Sequence, residues 1–361
     1  MKIARLYSFG DIRIEEMPVP SPGPGEALMK TMASGICSGD LMPWYIEKKA
    51  PLVLGHEPAG VIVKTGSGVE DFSEGDRVSV HHHAPCMDRE KCPFCKKGIF
   101  VHCPAWKNSS IIPGGISEYI LIPAVNLRHD TLKLSPVKSL SFEDGVLVEP
   151  LGCVLKGLRR AGLPVGGNVS SSSCFDPGTF FVFVIGLGVM GILHILALKA
   201  LGIKAENIIG ADTVPFRLEK ALGLGAGHVV DVSREDPVRA VEKITNGRMA
   251  DLVIAGPNSV RAMHTAVEAA GPGGKVVLFT PAKPGEVLSL DPNDIYFREV
   301  SLIPSYSTGP VDTRAALAMI EGGHVRADMI VTHSFPIGET QEAYRLAARA
   351  ADSLKVLIRF Q

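Results

Sequence analysis

Phe180 to Gly202 reads FFVFVIGLGVMGILHILALKALG: a short apolar run, a turn set by Gly186, Gly188 and Gly191, and a continuation at helical spacing. The order is strand, turn, helix. The three glycines fit G-x-G-x-x-G, in which the first allows a tight turn, the second lets the backbone approach a pyrophosphate and the third lets helix and strand touch. Val189 and Met190 open the helix, whose free N–H groups and positive dipole end are offered to the phosphates. An apolar run with three glycines can match this pattern by accident. Here a strand precedes it, a helix follows, and Asp212 closes a second apolar run about twenty residues on, where an acid that accepts from a ribose is expected. Arg217 stands five residues further, either beside an adenosine or as a solvated helix arginine.

Outward from this stretch, runs at about 206–212, 228–231, 251–255 and 274–280 alternate with helical segments, the pattern of a doubly wound parallel sheet. Residues 1 to about 80 differ: KIARLYS, EALMKTMAS, GVIVKTG and DRVSVHHH are short β-type runs separated by Pro and Gly, as in PVPSPGPGE. A helix is expected over about 141–160, from SFEDG through VLVEPLGCVLKGLRRAG. After about residue 295 mixed strands and helices return and end in KVLIRF. The expected architecture is α/β: a β-rich domain of residues 1–155 and 296–361, an inserted dinucleotide-binding domain of residues 156–295, and a site in the crevice between them. The serine-rich GNVSSSSCFDPG at 167–178 reads as a surface loop, with Cys174 a spare thiol.

At 361 residues the chain is long for one core and comfortable for two. Its 46% hydrophobic and 21% charged residues describe an ordinary soluble globular protein, and a net charge of −1 gives no long-range field for nucleic acid or an anionic membrane. No secretory segment opens the chain and no apolar run reaches spanning length, so the cytoplasm is expected. The N-x-S triplets at Asn108 and Asn168 then carry no meaning. Seven cysteines are an odd number for a disulfide framework. Four of them, Cys86, Cys92, Cys95 and Cys103, crowd one loop as C-x5-C-x2-C-x7-C, which in a reducing compartment suits a closed tetrahedral zinc site.

A second constellation is dispersed: Cys37 in GICSGD, His56 and Glu57 in LGHEPAG, and Glu149 in LVEPLG. Taken singly, a buried cysteine or a satisfied histidine is the commoner case. Together these are zinc ligands of the kind that leave one coordination position open for chemistry. The ordered set GICSGD, GHEPAG, GDRVSV, the four-cysteine lobe, GGISEYI, VEPLG, GLGVMG and KVLIRF resembles the zinc-dependent medium-chain dehydrogenase/reductase family, especially its sorbitol and threonine dehydrogenase branch, over nearly the whole chain. The resemblance implies a GroES-like catalytic domain, a Rossmann domain, and oxidation of a secondary alcohol or polyol to a ketone with NAD. It implies a catalytic zinc on Cys37, His56 and Glu149 with Glu57 as neighbour or exchanging ligand, a structural zinc on the four lobe cysteines, and a homo-oligomer, dimer or tetramer.

The chain also departs from that pattern. Gly39 stands where the family usually carries the first hydroxyl of a proton relay, and Met42 where threonine dehydrogenases carry a histidine. Ser38, Glu57 or His83 can take over; His83 matches an active-site histidine of threonine dehydrogenases, and the alternative for His81, His82 and His83 is strand-end surface residues. Asp212 favours NAD over NADP because its carboxylate accepts from ribose hydroxyls and repels a 2′-phosphate. Gly256 and Phe279, in turns after later strands, approach the nicotinamide in this fold or serve as turn and core. Trp44, Tyr45, Trp106 and Ile116 are pocket candidates or plain core. The competing reading is a binding or sensor protein that keeps zinc and NAD but has lost turnover, supported only by Gly39 and Met42.

Overall fold

A computed structural model describes every residue except 136, 138 and 168–175. Asn168, Cys174 and most of the serine-rich segment lie outside the described residues. Strands β1 (Lys2–Ser8), β2 (Asp11–Glu16), β3 (Ala27–Gly35), β4 (Leu52–Val53), β5 (Glu57–Thr65), β6 (Arg77–Val80), β7 (Tyr119–Ile122) and β8 (Thr131–Lys133) come first. Then follow β9 (Val182–Ile185), β10 (Ile208–Asp212), β11 (His228–Asp231), β12 (Ala250–Ala255), β13 (Ala270–Leu278) and β14 (Ser301–Pro304), and finally β15 (Val331–Pro336) and β16 (Lys355–Arg359). The chain forms two compact units, Met1–Gly152 with Ser307–Gln361, and Cys153–Tyr306. Among the described residues no helix is long and apolar enough to cross a membrane.

In the second unit six strands form one parallel sheet in the order β11-β10-β9-β12-β13-β14. This is the doubly wound order, with its reversal point between β9 and β12. Helices cover both faces of such a sheet, so its strands read as unbroken apolar runs. Every residue of β9 is buried, and nine residues of the helix Val189–Ala200 are buried with it. The sixth strand lies beyond the expected limit at residue 295: β14 pairs in parallel with β13 from Ser301 to Pro304. Its SLIP sequence is only partly buried and lacks the apolar run that marks β9, β10 and β12.

The first unit holds a seven-stranded sheet in the order β15-β16-β3-β5-β6-β8, with β7 also on β3, and a small sheet β2-β1-β4. Apart from the parallel β15–β16 pair its ladders are antiparallel. The expected single helix over 141–160 is two, Phe142–Val146 and Val148–Arg160. Pro150 has no N–H to give the Val146 carbonyl, so the ladder stops and restarts with the proline in a first turn. Ser141 caps the short helix: its hydroxyl accepts from the Asp144 amide at 3.0 Å, and the Asp144 carboxylate accepts from the Ser141 amide at 2.9 Å.

Candidate functional site

Sheet register in the first unit brings four strand ends together. Gly35 pairs with Glu57 across β3 and β5, Ala59 with Ser79 across β5 and β6, and Leu357 with Gly35 across β16 and β3. Cys37 just past β3, His56 and Glu57 at the start of β5, His81 just past β6 and Lys355 at the start of β16 therefore emerge at one end of the sheet. The approach is close enough to require glycine at 35: a Cβ there would stand 2.7 Å from Lys355 Cε and 2.8 Å from Val146 Cγ1, besides meeting the Glu57 carboxylate.

The ligand atoms of Cys37, His56 and Glu57 all lie within 4.8 Å of one another. Cys37 Sγ accepts from the Gly39 amide at 3.3 Å, and burial pushes its thiol up although His56 opposes this. His56 Nδ1 lies 3.4 Å from Oδ2 of Asp40, which is 4% exposed. Burial works against charge on His56, but the Asp40 carboxylate and Cys37 outweigh it and hold the imidazole well above its ordinary value. Glu57 is ion-paired with Lys355, whose Nζ also donates to the Ile36 carbonyl at 3.1 Å. Burial raises the Glu57 carboxyl, Lys355 opposes it, and Glu149 adds to the rise.

Glu149 sits in an adjoining trio. Its ligand oxygen lies within 4.8 Å of those of His81 and His82, and the His82 ring centroid is 4.8 Å from that of His56. Reading His81 and His82 as surface residues is overturned: His81 is 3% exposed and His82 half-buried. The cause is the pairing of β6 with β8, which brings the residues after Val80 against Asp130. His81 Nδ1 donates to Asp130 Oδ2 at 3.0 Å, Thr313 Oγ1 donates to Asp130 Oδ1 at 2.6 Å, and His81 Nε2 is 3.9 Å from Glu149 Oε1. Burial opposes charge on His81, but Asp130 and Glu149 hold it above its usual value; burial and the other histidines hold His82 well below. His83 donates from Nδ1 to the Ser109 carbonyl, packs against Trp106 with ring centroids 4.4 Å apart and planes tilted by 46°, and is lowered by burial to about 4.

Ser38 is exposed on the turn after Cys37. Ile116 is core, fully buried against Gly55, and Trp44 and Tyr45 are half-buried in an edge-to-face pair. Asp40, Lys355, Asp130 and Thr313 were not singled out from the sequence. Asp40 alone had a local signal, three residues after Cys37 in GICSGD; the others reach the site through pairings far along the chain.

The four lobe cysteines also cluster, with all four sulfurs within 4.8 Å. Cys86 Sγ is 3.7 Å from Cys95 Sγ and 3.6 Å from Cys103 Sγ. Four sulfurs each ~2.3 Å from a tetrahedral zinc stand ~3.8 Å apart, so the set fits that ion. Burial raises the Cys103 thiol, but N–H groups of Cys86, Trp106 and Ala105 outweigh it and bring it down to about 7, toward the thiolate that a metal needs.

In the second unit the glycine turn has the shape of a phosphate cradle. Gly186 adopts φ +85°, and a Cβ there would lie 2.9 Å from the Pro257 ring, so the turns after β9 and β12 meet at the reversal point. Gly188 caps the helix Val189–Ala200 without a side chain, and a Cβ on Gly191 would run into the Gly186 carbonyl. Asp212 accepts from the Leu187 amide at 2.7 Å and from the Thr213 and Val214 amides at 2.8 and 3.0 Å, which binds the end of β10 to the glycine turn. Arg217 Nη1 is 3.7 Å from Asp212 Oδ2 and lies over Gly188. Gly256 admits no Cβ, since one would stand 2.6 Å from the Ile185 carbonyl, and the Phe279 ring is edge-on to His194 at 4.7 Å. His194, also not singled out, donates from Nδ1 to the Met190 carbonyl at 2.8 Å and is lowered by burial to about 4.

Residues 23–131 match the family model described as the alcohol dehydrogenase GroES-like domain, and residues 189–322 the one described as zinc-binding dehydrogenase. Sorbitol dehydrogenase of Bacillus subtilis is 30% identical over 99% of this chain and 97% of its own length. L-Threonine 3-dehydrogenase of Pyrococcus horikoshii is 31% identical over 95% of this chain and 93% of its own. A protein of Sinorhizobium meliloti described as a zinc-binding dehydrogenase, solved bound to NADP, superposes with a TM-score of 0.85 at 27% identity, covering 99% of each chain.

Proposed function

Since this chain belongs to the zinc-dependent alcohol dehydrogenase family, we propose that it transfers a hydride between a secondary alcohol or polyol, cyclic polyols included, and NAD, giving a ketone. The observation that carries this reading is the cluster of Cys37, His56 and Glu57 at one sheet end. Cys37 and His56 supply sulfur and nitrogen, and a carboxylate completes the set. Glu149, which stands with His81 and with the His82 ring beside His56, is the carboxylate of the set, and Glu57, paired with Lys355 through Oε2, is its neighbour or an exchanging ligand. A zinc ion there supplies Lewis-acid polarisation of an alcohol oxygen, and the nicotinamide of a dinucleotide supplies the hydride acceptor.

The chain's own residues do the rest. The Asp40 carboxylate faces the Nδ1 side of His56 at 3.4 Å without making a hydrogen bond and acts on the ring through its charge. Of the groups that can carry the hydroxyl proton, Glu57 is tied to Lys355 and Ser38 lies exposed on its turn. His83, neutral at pH 7 with Nδ1 committed to Ser109, keeps Nε2 as an acceptor. The lobe cysteines hold a structural zinc that orders a segment with a small core of its own. The glycine turn and the free amides at the start of Val189–Ala200, those of Val189 and Met190 among them, bind the pyrophosphate, with Gly256 and Phe279 beside the nicotinamide half. Asp212 favours NAD, since a buried carboxylate at the end of β10 repels a 2′-phosphate. A homo-oligomer is expected: β14 is an outer strand, and Tyr296 and Phe297 just before it are each 75% exposed. The relatives are dehydrogenases, and a binding protein without turnover is not favoured.

The test is reduction of NAD and NADP, followed by absorbance, against polyols, cyclic polyols, 3-hydroxy acids and simple secondary alcohols, with a strong chelator as control. One class turning over with NAD and stopped by chelator supports the reading. NADP preferred would overturn the role given to Asp212, and no turnover with any class, although zinc and NAD bind, would move the sensor reading ahead.

A further inference from the structure

The chain leaves the Cys37–His56 cluster at Cys37 and returns to it at His56, and the excursion between them carries the helix Pro43–Ile46 and the turn Glu47–Lys49. Aromatic rings and ammonium groups are paired along it. Lys49 Nζ stands 4.0 Å from the centroid of the Tyr45 ring and donates to the Tyr45 hydroxyl at 2.9 Å, and Lys48 Nζ stands 5.6 Å from the Trp44 centroid. Both lysines are exposed, and no carboxylate among the described residues forms an ion pair with either. The acid of the same turn, Glu47, is turned away to the Phe9 amide at 2.8 Å. Lys49 commits one of its three N–H groups to Tyr45 and is held in place with two left to give. Its ammonium is near enough to act on His82 and His83, whose charge it disfavours, and the His82 ring lies 4.8 Å from that of His56. Trp44 Nε1 is enclosed without an acceptor among the described residues, although a buried indole N–H as a rule has one.

We propose that Trp44, Lys48 and Lys49 form an anion subsite at the rim of the Cys37–His56 site, so that the alcohol taken there carries a phosphate ester or a carboxylate away from its reacting carbon. An oxyanion in that place accepts from two ammonium groups and gives the Trp44 N–H its acceptor, and hydrogen bonds to a charged acceptor are the strong ones. Because Lys49 is already tied to Tyr45, little freedom is lost when the anion binds. The chain's net charge of −1 gives no general attraction for anions, so the preference is local to this rim. The proposal rests on the reading of Cys37 and His56 as the seat of the chemistry. The experiment takes the zinc-loaded full chain with NAD and two pairs of alcohols, a hexitol against its terminal phosphate monoester and a 3-hydroxy acid against its methyl ester. Binding is measured by calorimetry and kcat/KM by absorbance. The charged member of one pair is expected to bind about tenfold tighter or better, and that pair tells phosphate from carboxylate. In Lys49→Gln the advantage should fall toward one and in Lys49→Arg most of it should remain, with unchanged circular dichroism in both. No advantage for either charged member in the unaltered protein, or one that survives whole in Lys49→Gln, overturns the proposal. A Lys49-dependent advantage in binding with no turnover of any member leaves the subsite standing and defeats the dehydrogenase reading instead.

Discussion

In protein stripped of metal, replacing Lys355 by Met removes the cation that, among the described residues, is paired with Glu57, while keeping a long side chain in a fully enclosed place. Both partners' side chains are 1% exposed, so solvent does not substitute for the lost ammonium. Breaking a buried ion pair from one side costs about 3–5 kcal/mol because the remaining charge is left desolvated. The Ile36 carbonyl loses its 3.1 Å donor as well, which places the loss in the upper part of that range. Against a total stability of about 5–15 kcal/mol this is a third or more. The pH dependence has a definite sign. Burial already raises the Glu57 carboxyl against the opposition of Lys355, and without the lysine it rises further. The carboxyl of the variant stays protonated at pH values where the unaltered Glu57, itself raised, has already ionised, so the deficit of the variant grows as pH rises through and beyond the range in which the unaltered carboxyl titrates, by at most about 1.4 kcal/mol per pH unit. Urea unfolding followed by circular dichroism at pH 5 and pH 8 measures it. The variant is expected to lose several kcal/mol at pH 8 and less at pH 5, and the double variant with Glu57→Gln to recover part of the loss. A deficit under about 1 kcal/mol at both pH values, or a larger one at pH 5, would refute the reasoning.

Cys95→Ser removes one of four clustered sulfurs, so zinc content should fall by one per chain and the melting temperature with it; an unchanged melt would show that the lobe does not depend on metal. His194 is held at about 4 by burial, against about 6.5 when unfolded, so its contribution is intact above pH 6.5 and is lost as pH falls toward 4, up to about 3 kcal/mol. His194→Asn should flatten that acid slope in thermal melts, and an identical slope would contradict it. Gly191→Ala drives a Cβ into the Gly186 carbonyl and should weaken NAD binding at least about tenfold by calorimetry, whereas Gly223→Ala, with open space around it, should leave binding unchanged.

What could be read from the sequence was whatever a few consecutive residues decide by themselves. The glycine turn is dictated by backbone geometry over six residues, and the cysteine lobe by thiols close enough in sequence to share one ion. Strands β9, β10 and β12 of the parallel sheet were legible because burial on both faces makes them continuously apolar, whereas β14 is four residues with a serine and a proline at its ends and offers no such run. The break at Leu147 follows from Pro150, but the apolar spacing of the surrounding helix masks it. The histidines after β6 could not be placed from their own neighbourhood: their burial depends on Asp130, and that of Asp130 on Thr313, 183 residues further along. Lys355 reaches Glu57 across 298 residues of chain, through a sheet register that no local pattern encodes.

The most direct measurement compares Cys37→Ser with the unaltered protein for zinc content, NAD binding and NAD reduction by whichever alcohol the panel identifies. The expected result is one zinc fewer per chain, turnover abolished and NAD binding unchanged, because the sulfur belongs to the Cys37–His56 cluster in one unit and the glycine turn to the other. A variant that keeps its full zinc content and still turns over would contradict the assignment of Cys37 and His56 as the seat of the chemistry.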